Sequence, residues 1–249
     1  MTGIVKRLRI IAGPNGSGKT SVYQDLLRKG VPVFGIFVNA DEIEKELRTR
    51  SILSFQKYGI TVSDKALKKI FEKSQRIKQT IVNSKQFDVK DNFLVVKNKD
   101  KIDSYFAGFL ADFVRDEMLS NNVKKITIET VMSHPSKLEV MKKASDLGYR
   151  IYLYYITTED SKINVERVKA RTEKGGHGVP KDVIKKRYDR SLDNLFEAVQ
   201  LSDRAFLIDN SGKSPNLIAE YDKKNNTLYF EEEKCPLWVE TYVLSKNKD

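Results

Sequence analysis

Apolar residues gather along this chain in short dense runs, separated by longer segments in which they return every three or four positions. Residues 4–12 (IVKRLRIIA), 33–41 (VFGIFVNAD), 123–130 (VKKITIET), 149–158 (YRIYLYYITT) and 204–210 (RAFLIDN) are of the first kind and predict five strands. TSVYQDLLRK, DEIEKELRTR, the apolar stretch 102–119 and the segments 161–174 and 180–200 predict helices between them. Asp160 or Ser161 is placed to cap the 161–174 helix, and Pro180 to open the next. Gly30 with Pro32, Asn121-Asn122 and Gly148 punctuate. Residues 216–232 alternate on either side of Asn225-Asn226 and predict a hairpin. The tail carries Cys235, Pro236 and Trp238, expected to pack under it.

Strands alternating with helices imply an α/β fold: three layers, α/β/α, around a mostly parallel five-stranded core sheet, with ligands beyond the strand carboxyl ends. By that rule Gly13–Thr20, Asp41, Glu129-Thr130 and Asp209-Asn210 should face one crevice. Residues 51–102 fit the alternation poorly. Ser63 can cap a helix over 63–82, with Ala66, Ile70, Ile77 and Ile81 near helical spacing, and FLVV is a short strand candidate. The segment reads as a helical insertion in a single domain spanning 1–249, with residues 213–249 as its C-terminal hairpin and tail.

Between the first strand and first helix lies GPNGSGKT, residues 13–20, which fits the phosphate-binding P-loop G-x-x-x-x-G-K-[ST]. Four fixed positions arise by chance in roughly one chain of this size per hundred, and the strand–loop–helix setting narrows that further. Gly13, Gly16 and Gly18 let successive N–H groups converge on one anion, with Pro14, Asn15 and Ser17 completing the loop. The helix that begins near Gly18 adds the positive end of its dipole. Lys19 can reach the β- and γ-phosphates, and the Thr20 hydroxyl can hold Mg²⁺.

Composition narrows the partners. The 249 residues carry a net charge of +11 and 40% hydrophobic residues, with no apolar run long enough to span a bilayer. A lone cysteine, Cys235, excludes an internal disulfide and suits a reducing cytoplasm, and two histidines make a zinc site an unattractive reading. Ten Lys/Arg against four Asp/Glu lie within residues 161–190. A basic surface favours phosphorylated small molecules, nucleic acid or an acidic protein. Nucleic acid is not expected, because no run pairs Lys/Arg with stacking aromatics.

Phosphoryl transfer needs a carboxylate base, charge to stabilise the transferring group, and closure against water. Asp41 is the candidate base, with capping of the 42–49 helix as its alternative role. Glu129 ends a buried strand where it can position Mg²⁺-bound water or a substrate hydroxyl, or cap the next loop. Segment 161–190 has the character of a lid, with arginines on both sides of GGHGVP: Arg167 and Arg171 before it, Arg187 and Arg190 after it. His177, at the hinge, reads as structural.

GPNGSGKT, NADEIEKEL, IETVMS and RVKARTEKGGHGVPKDVIKKRYDRS together resemble the zeta toxin family, over about residues 7–50 and 103–212. The resemblance implies a P-loop kinase that uses ATP and Mg²⁺ to phosphorylate the amino sugar of UDP-N-acetylglucosamine. Toxicity is a separate expectation, since the family includes free-standing kinases; a toxin would need an antitoxin, and the basic lid segment suits an acidic one. It implies that Lys19 is the P-loop lysine, Asp41 the general base, Glu129 and Thr130 the sugar-contacting pair, and Arg171 and Arg187 the lid arginines, with Arg167 and Arg190 as rivals. Val131 stands where the family often has a second threonine, and residues 51–102 have no counterpart. A kinase for a nucleoside, an antibiotic or a polynucleotide end, or a nucleotide-dependent switch, are the alternatives.

Overall fold

The computed structural model describes residues 5–29, 34–175, 178–231 and 235–247. Gly30, Pro32 and His177 therefore lie outside the described residues. In chain order the elements begin with β1 (Arg7–Ala12), α1 (Lys19–Arg28), β2 (Ile36–Val38), α2 (Ala40–Arg50), β3 (Ile52–Ser54), α3 (Asp64–Lys73), β4 (Phe87–Lys90) and β5 (Phe93–Val96). There follow α4 (Ser104–Ser120), β6 (Lys125–Thr130), α5 (Ser136–Asp146), β7 (Arg150–Thr157), α6 (Ser161–Glu173), α7 (Lys181–Asp193), α8 (Leu195–Leu201), β8 (Arg204–Asp209), β9 (Asn216–Asp222) and β10 (Thr227–Phe230). This is an α/β fold with a mostly parallel sheet, connecting helices and a C-terminal antiparallel hairpin, as the alternation predicts. Contacts divide the chain into two compact units, residues 1–34 with 129–249, and residues 35–128.

In the first unit β1 pairs in parallel with β7, and β7 with β8; β9 then runs antiparallel to β8, and β10 to β9. Leu8, Ile11, Ile151, Leu153, Tyr155 and Leu207 are wholly buried, so strand runs apolar on both faces are explained by helices covering both. Asn226 takes φ 47° in the hairpin turn, the left-handed conformation for which asparagine is suited. The helix expected over 180–200 is broken at Asn194. There the backbone N–H closes α7 on the Arg190 carbonyl while the side-chain amide donates to the Met132 carbonyl at 2.8 Å.

Trp238 corrects another expectation. Its indole N–H donates to Asp209 Oδ2 at 2.9 Å, and its ring lies 6.3 Å from that of Tyr155, so the tail docks on β7 and β8 and not under the hairpin. The same bond makes Asp209 a structural carboxylate, with Oδ1 taken by the Ser211 N–H. Trp238→Phe keeps the apolar bulk and strands a buried carboxylate oxygen. It should cost about 2 kcal/mol, read as a lower urea midpoint with unchanged slope.

In the second unit β2 pairs in parallel with β6, and β3, β5 and β4 form a separate antiparallel sheet in that order. The second strand is shorter than expected, because Asn39 already caps α2. Segment 51–102 contains this small sheet as well as helix. Its helix is capped by Ser63, as expected, but ends at Lys73, where Ser74 turns extended. Leu67 and Phe71 are its buried face, while Ile70 and Ile81 are exposed. The reason lies in α4, whose Phe106, Phe109 and Phe113 recur every three or four residues. Phe71 meets Phe106 edge-on at 5.8 Å and Phe109 at 5.0 Å, Phe87 packs on both Phe71 and Phe106, and Phe55 meets Phe113. The insertion thus has an aromatic core of its own, built on a helix outside it.

Candidate active site

The P-loop leaves β1 at Gly13 and returns into α1 at Lys19. Gly18 caps that helix with φ 88°, and Gly16 has φ 79°, both left-handed. A Cβ on Gly13 would stand 1.8 Å from the Ile156 carbonyl oxygen, and one on Gly16 would stand 2.4 Å from the Asn164 carbonyl oxygen. The loop is therefore clamped between β7 and α6, and only glycine fits either place. The Gly13 N–H donates to the Thr130 carbonyl at 3.2 Å, tying the loop to the end of β6.

Two side chains, Asn164 and Asn210, hold the loop, and a third, Tyr188, holds the Thr158 that Asn164 also engages. Asn164, wholly buried on α6, donates to the Asn15 carbonyl at 2.7 Å and accepts from the Thr158 hydroxyl. Asn210, at the end of β8, donates to the Ser17 carbonyl at 2.8 Å. Tyr188 on α7 donates to the Thr158 carbonyl; burial pushes its phenol up to about 12, so it stays protonated. The strand-end rule pointed to Asn210. Asn164 is the fourth residue of α6, near its N-terminal end, and its sequence neighbours give no signal for this role. Asn164→Ala should unfasten the loop at Asn15 and leave the Thr158 hydroxyl with the Asp160 carbonyl alone. We expect a loss of about 2 kcal/mol of stability and nucleotide affinity lowered about tenfold, checked by thermal melting and titration calorimetry.

Lys19 is buried and its ammonium donates to the Pro14 carbonyl at 2.8 Å, across the loop. The Thr20 hydroxyl donates to Glu129 Oε2 at 3.3 Å. Thr130 uses its carbonyl on Gly13, and its hydroxyl accepts the Met132 N–H at 3.1 Å. Of the lid candidates, Arg187 reaches Asn15 Oδ1 at 3.4 Å, whereas Arg167 is committed to the carbonyls of Asn210, at 2.8 Å, and Gly212. Arg171 lies with Arg167, Ala170 and Lys174 along an open surface hollow of about 420 Å³. Arg190 is exposed. Asp41 lies in the second unit, exposed in the first turn of α2, and Asn39 accepts from the N–H groups of Asp41 and Glu42 in its stead as the cap.

Ser17 Oγ is wholly buried with no hydrogen-bond partner, and an anion seated on the loop would supply the acceptor it lacks. Thr20 and Glu129 offer hard oxygens side by side. Mg²⁺ takes only one or two protein oxygens and completes its shell with phosphate and water, so the pair fits it. Among the described residues no cluster of three or more His, Cys, Asp or Glu side chains could hold a metal, and no helix is long and apolar enough to cross a membrane.

A glycine-clamped loop between a parallel strand and a helix, with its lysine and threonine turned on the same mouth, defines a nucleotide-binding protein of the P-loop kinase fold. The AAA domain family model matches residues 8–197, and the chain belongs to this family. An uncharacterized protein of Haemophilus influenzae is 38% identical over 61 residues, which are 24% of this chain and 44% of that protein. This chain's match thus spans under half the length of that curated relative. A chain of the AvrRxo1-ORF1:AvrRxo1-ORF2 complex crystallised with sulphate ions superposes with a TM-score of 0.57 at 13% identity, covering 93% of this chain and 62% of its own. The complex crystallised with ATP gives 0.54 at 13% identity over 92% and 61%. A chain of the PezAT chromosomal toxin–antitoxin system of Streptococcus pneumoniae gives 0.48 at 11% identity over 97% and 78%. The α/β P-loop fold expected from the motifs is the fold observed.

Proposed function

We propose that the protein is an ATP-dependent kinase that transfers the γ-phosphoryl group to a hydroxyl of a UDP-N-acetylglucosamine-like sugar nucleotide. The observation that carries this reading is the hydrogen bond from Arg187, on α7, to Asn15 of the P-loop. A nucleotide grip alone needs no arginine from a distant helix, whereas stabilising a transferring phosphoryl group does. Segment 161–190 then acts as a lid, with Arg187 and Arg171 on the phosphate charge and Arg167 holding the loop after β8 in shape. ATP binding by a chain of similar fold supports the donor, and a two-chain complex of that fold supports an antitoxin-like protein partner. The sugar-nucleotide acceptor and the toxin role rest on the motif resemblance.

Residues 13–19 hold the β- and γ-phosphates through backbone N–H groups and the Lys19 ammonium. Thr20 and Glu129 would hold Mg²⁺, which when bound neutralises charge on the β- and γ-phosphate oxygens. Asp41 takes the proton of the acceptor hydroxyl as its oxygen bonds to the γ-phosphorus and the bond to the β-phosphate oxygen breaks, releasing ADP. Glu129 and Thr130 orient the sugar. The test is transfer from γ-labelled ATP to a panel of UDP-N-acetylglucosamine, nucleosides and oligonucleotides. Label on the sugar nucleotide is the expected result. Label on another acceptor would remove the sugar nucleotide and keep the kinase; label passing only to water would remove both.

A further inference from the structure

Residues 51–102 carry twelve Lys/Arg against five Asp/Glu, so this insertion holds more than half of the chain's net charge of +11. Lys57 pairs with Glu46, Lys68 with Asp64 and Asp88, Lys97 with Asp88, and Arg76 with Asp112. The other eight are all lysines, all exposed, and none has a carboxylate partner among the described residues. Lys65, Lys69 and Lys73 follow one another every fourth residue of α3, about 6 Å apart along its axis, on the face opposite the buried Leu67 and Phe71. Like charges at that spacing destabilise a helix. The stripe is thus retained against the stability of its own element.

Beside α3, to which the Lys68–Asp88 pair ties it, the β4–β5 hairpin turns through Asp91 and Asn92, both with positive φ. Asn92 fixes the tip: its amide donates to the Ile60 carbonyl, and its side-chain oxygen accepts from the Val62 N–H. This sets Lys90 directly across from Phe93, whose ring is 40% exposed, on the outer face of the sheet. No run of sequence joins cations to aromatics here, but the hairpin does so across two strands.

We propose that this insertion is a docking surface for a single-stranded nucleic acid, with the α3 lysines on successive phosphates and Phe93 stacking a base. The chemistry favours this occupant over an acidic protein. Protein interfaces select arginine and deplete lysine, whereas the only arginine in residues 51–102 is already ion-paired. Ammonium groups act on phosphates as point charges without geometric demand. A lipid surface would offer phosphates but no base for a rigid exposed ring. The inference is independent of the phosphoryl acceptor.

The whole chain, without nucleotide, is titrated with a fluorescent twelve-residue mixed-sequence oligonucleotide between 50 and 300 mM salt. Comparison ligands are poly-glutamate of equal charge and vesicles of phosphatidylserine with phosphatidylcholine. Oligonucleotide binding should weaken steeply with salt and exceed binding to both comparison ligands. Lys65→Glu/Lys69→Glu/Lys73→Glu should lower the log–log salt slope by about 2, since each phosphate contact on a single strand contributes roughly 0.7. Phe93→Ala should weaken binding about tenfold and leave the salt slope in place. ATP binding and thermal melting confirm that each variant is folded. The proposal is overturned if there is no binding at 100 mM salt, if poly-glutamate or vesicles bind as well as the oligonucleotide, or if binding is indifferent to both variants.

Discussion

Lys19→Ala is expected to weaken ATP binding by about two orders of magnitude and transfer by at least about three. Buried and spanning the loop to the Pro14 carbonyl, the ammonium has two tasks. Without nucleotide it covers the Pro14 carbonyl, whose negative dipole end would otherwise face phosphate. In the proposed reaction the same ammonium would exchange that carbonyl for charged phosphate oxygens, a stronger hydrogen-bonding partner. Alanine removes both, and Lys19→Arg should not restore transfer, because a planar fork cannot replace a compact ammonium in so closed a loop. Calorimetry with ATP and the labelled transfer assay measure the two losses separately. ATP affinity within a few-fold of the parent protein would remove Lys19 from the phosphate site and with it the donor half of the proposed reaction.

The loop was legible in the sequence because its chemistry is local: three glycines, a lysine and a threonine within eight residues, between a strand and a helix that propensity alone suggests. What fastens the loop was not. Asn164 and Asn15 are 149 positions apart, and Asn210 is 193 from Ser17. Nothing in the neighbourhood of either asparagine says which carbonyl its amide will meet. The same holds for Arg167 and Arg187, on two separate basic helices: one is on the carbonyls of Asn210 and Gly212, the other on the Asn15 side chain of the P-loop. Trp238 was assigned to the wrong neighbour because a tail can return to any exposed end of the sheet, and its partner, Asp209, looked like a site residue by strand-end position. In the insertion, helical spacing pointed to Ala66, Ile70, Ile77 and Ile81 as the apolar face. The phenylalanines of α4 chose Leu67 and Phe71 over Ala66 and Ile70, and α4 lies outside the segment whose period was being read.

Asp41→Asn should lower transfer about a thousandfold while ATP affinity stays within about twofold, because a base is not a phosphate ligand. The variant is informative because the structural role first open to Asp41 belongs to another residue. Asn39 accepts the N–H groups of Asp41 and Glu42, at 2.7 and 3.4 Å, so the α2 cap survives the substitution. What remains at Asp41 beyond chemistry is a negative charge in the first helical turn, worth about 0.5 kcal/mol to the helix dipole, and Glu42 beside it supplies a second. Asparagine keeps the shape of aspartate and its capacity to accept a hydrogen bond, but it cannot take a proton. A melt shifted by no more than about a degree, ATP binding preserved and transfer lost would locate the defect in the proton transfer alone. Full activity in Asp41→Asn would return the base to a different carboxylate, with Glu129 next in line. Glu129→Gln would then have to lose transfer as Asp41→Asn did not.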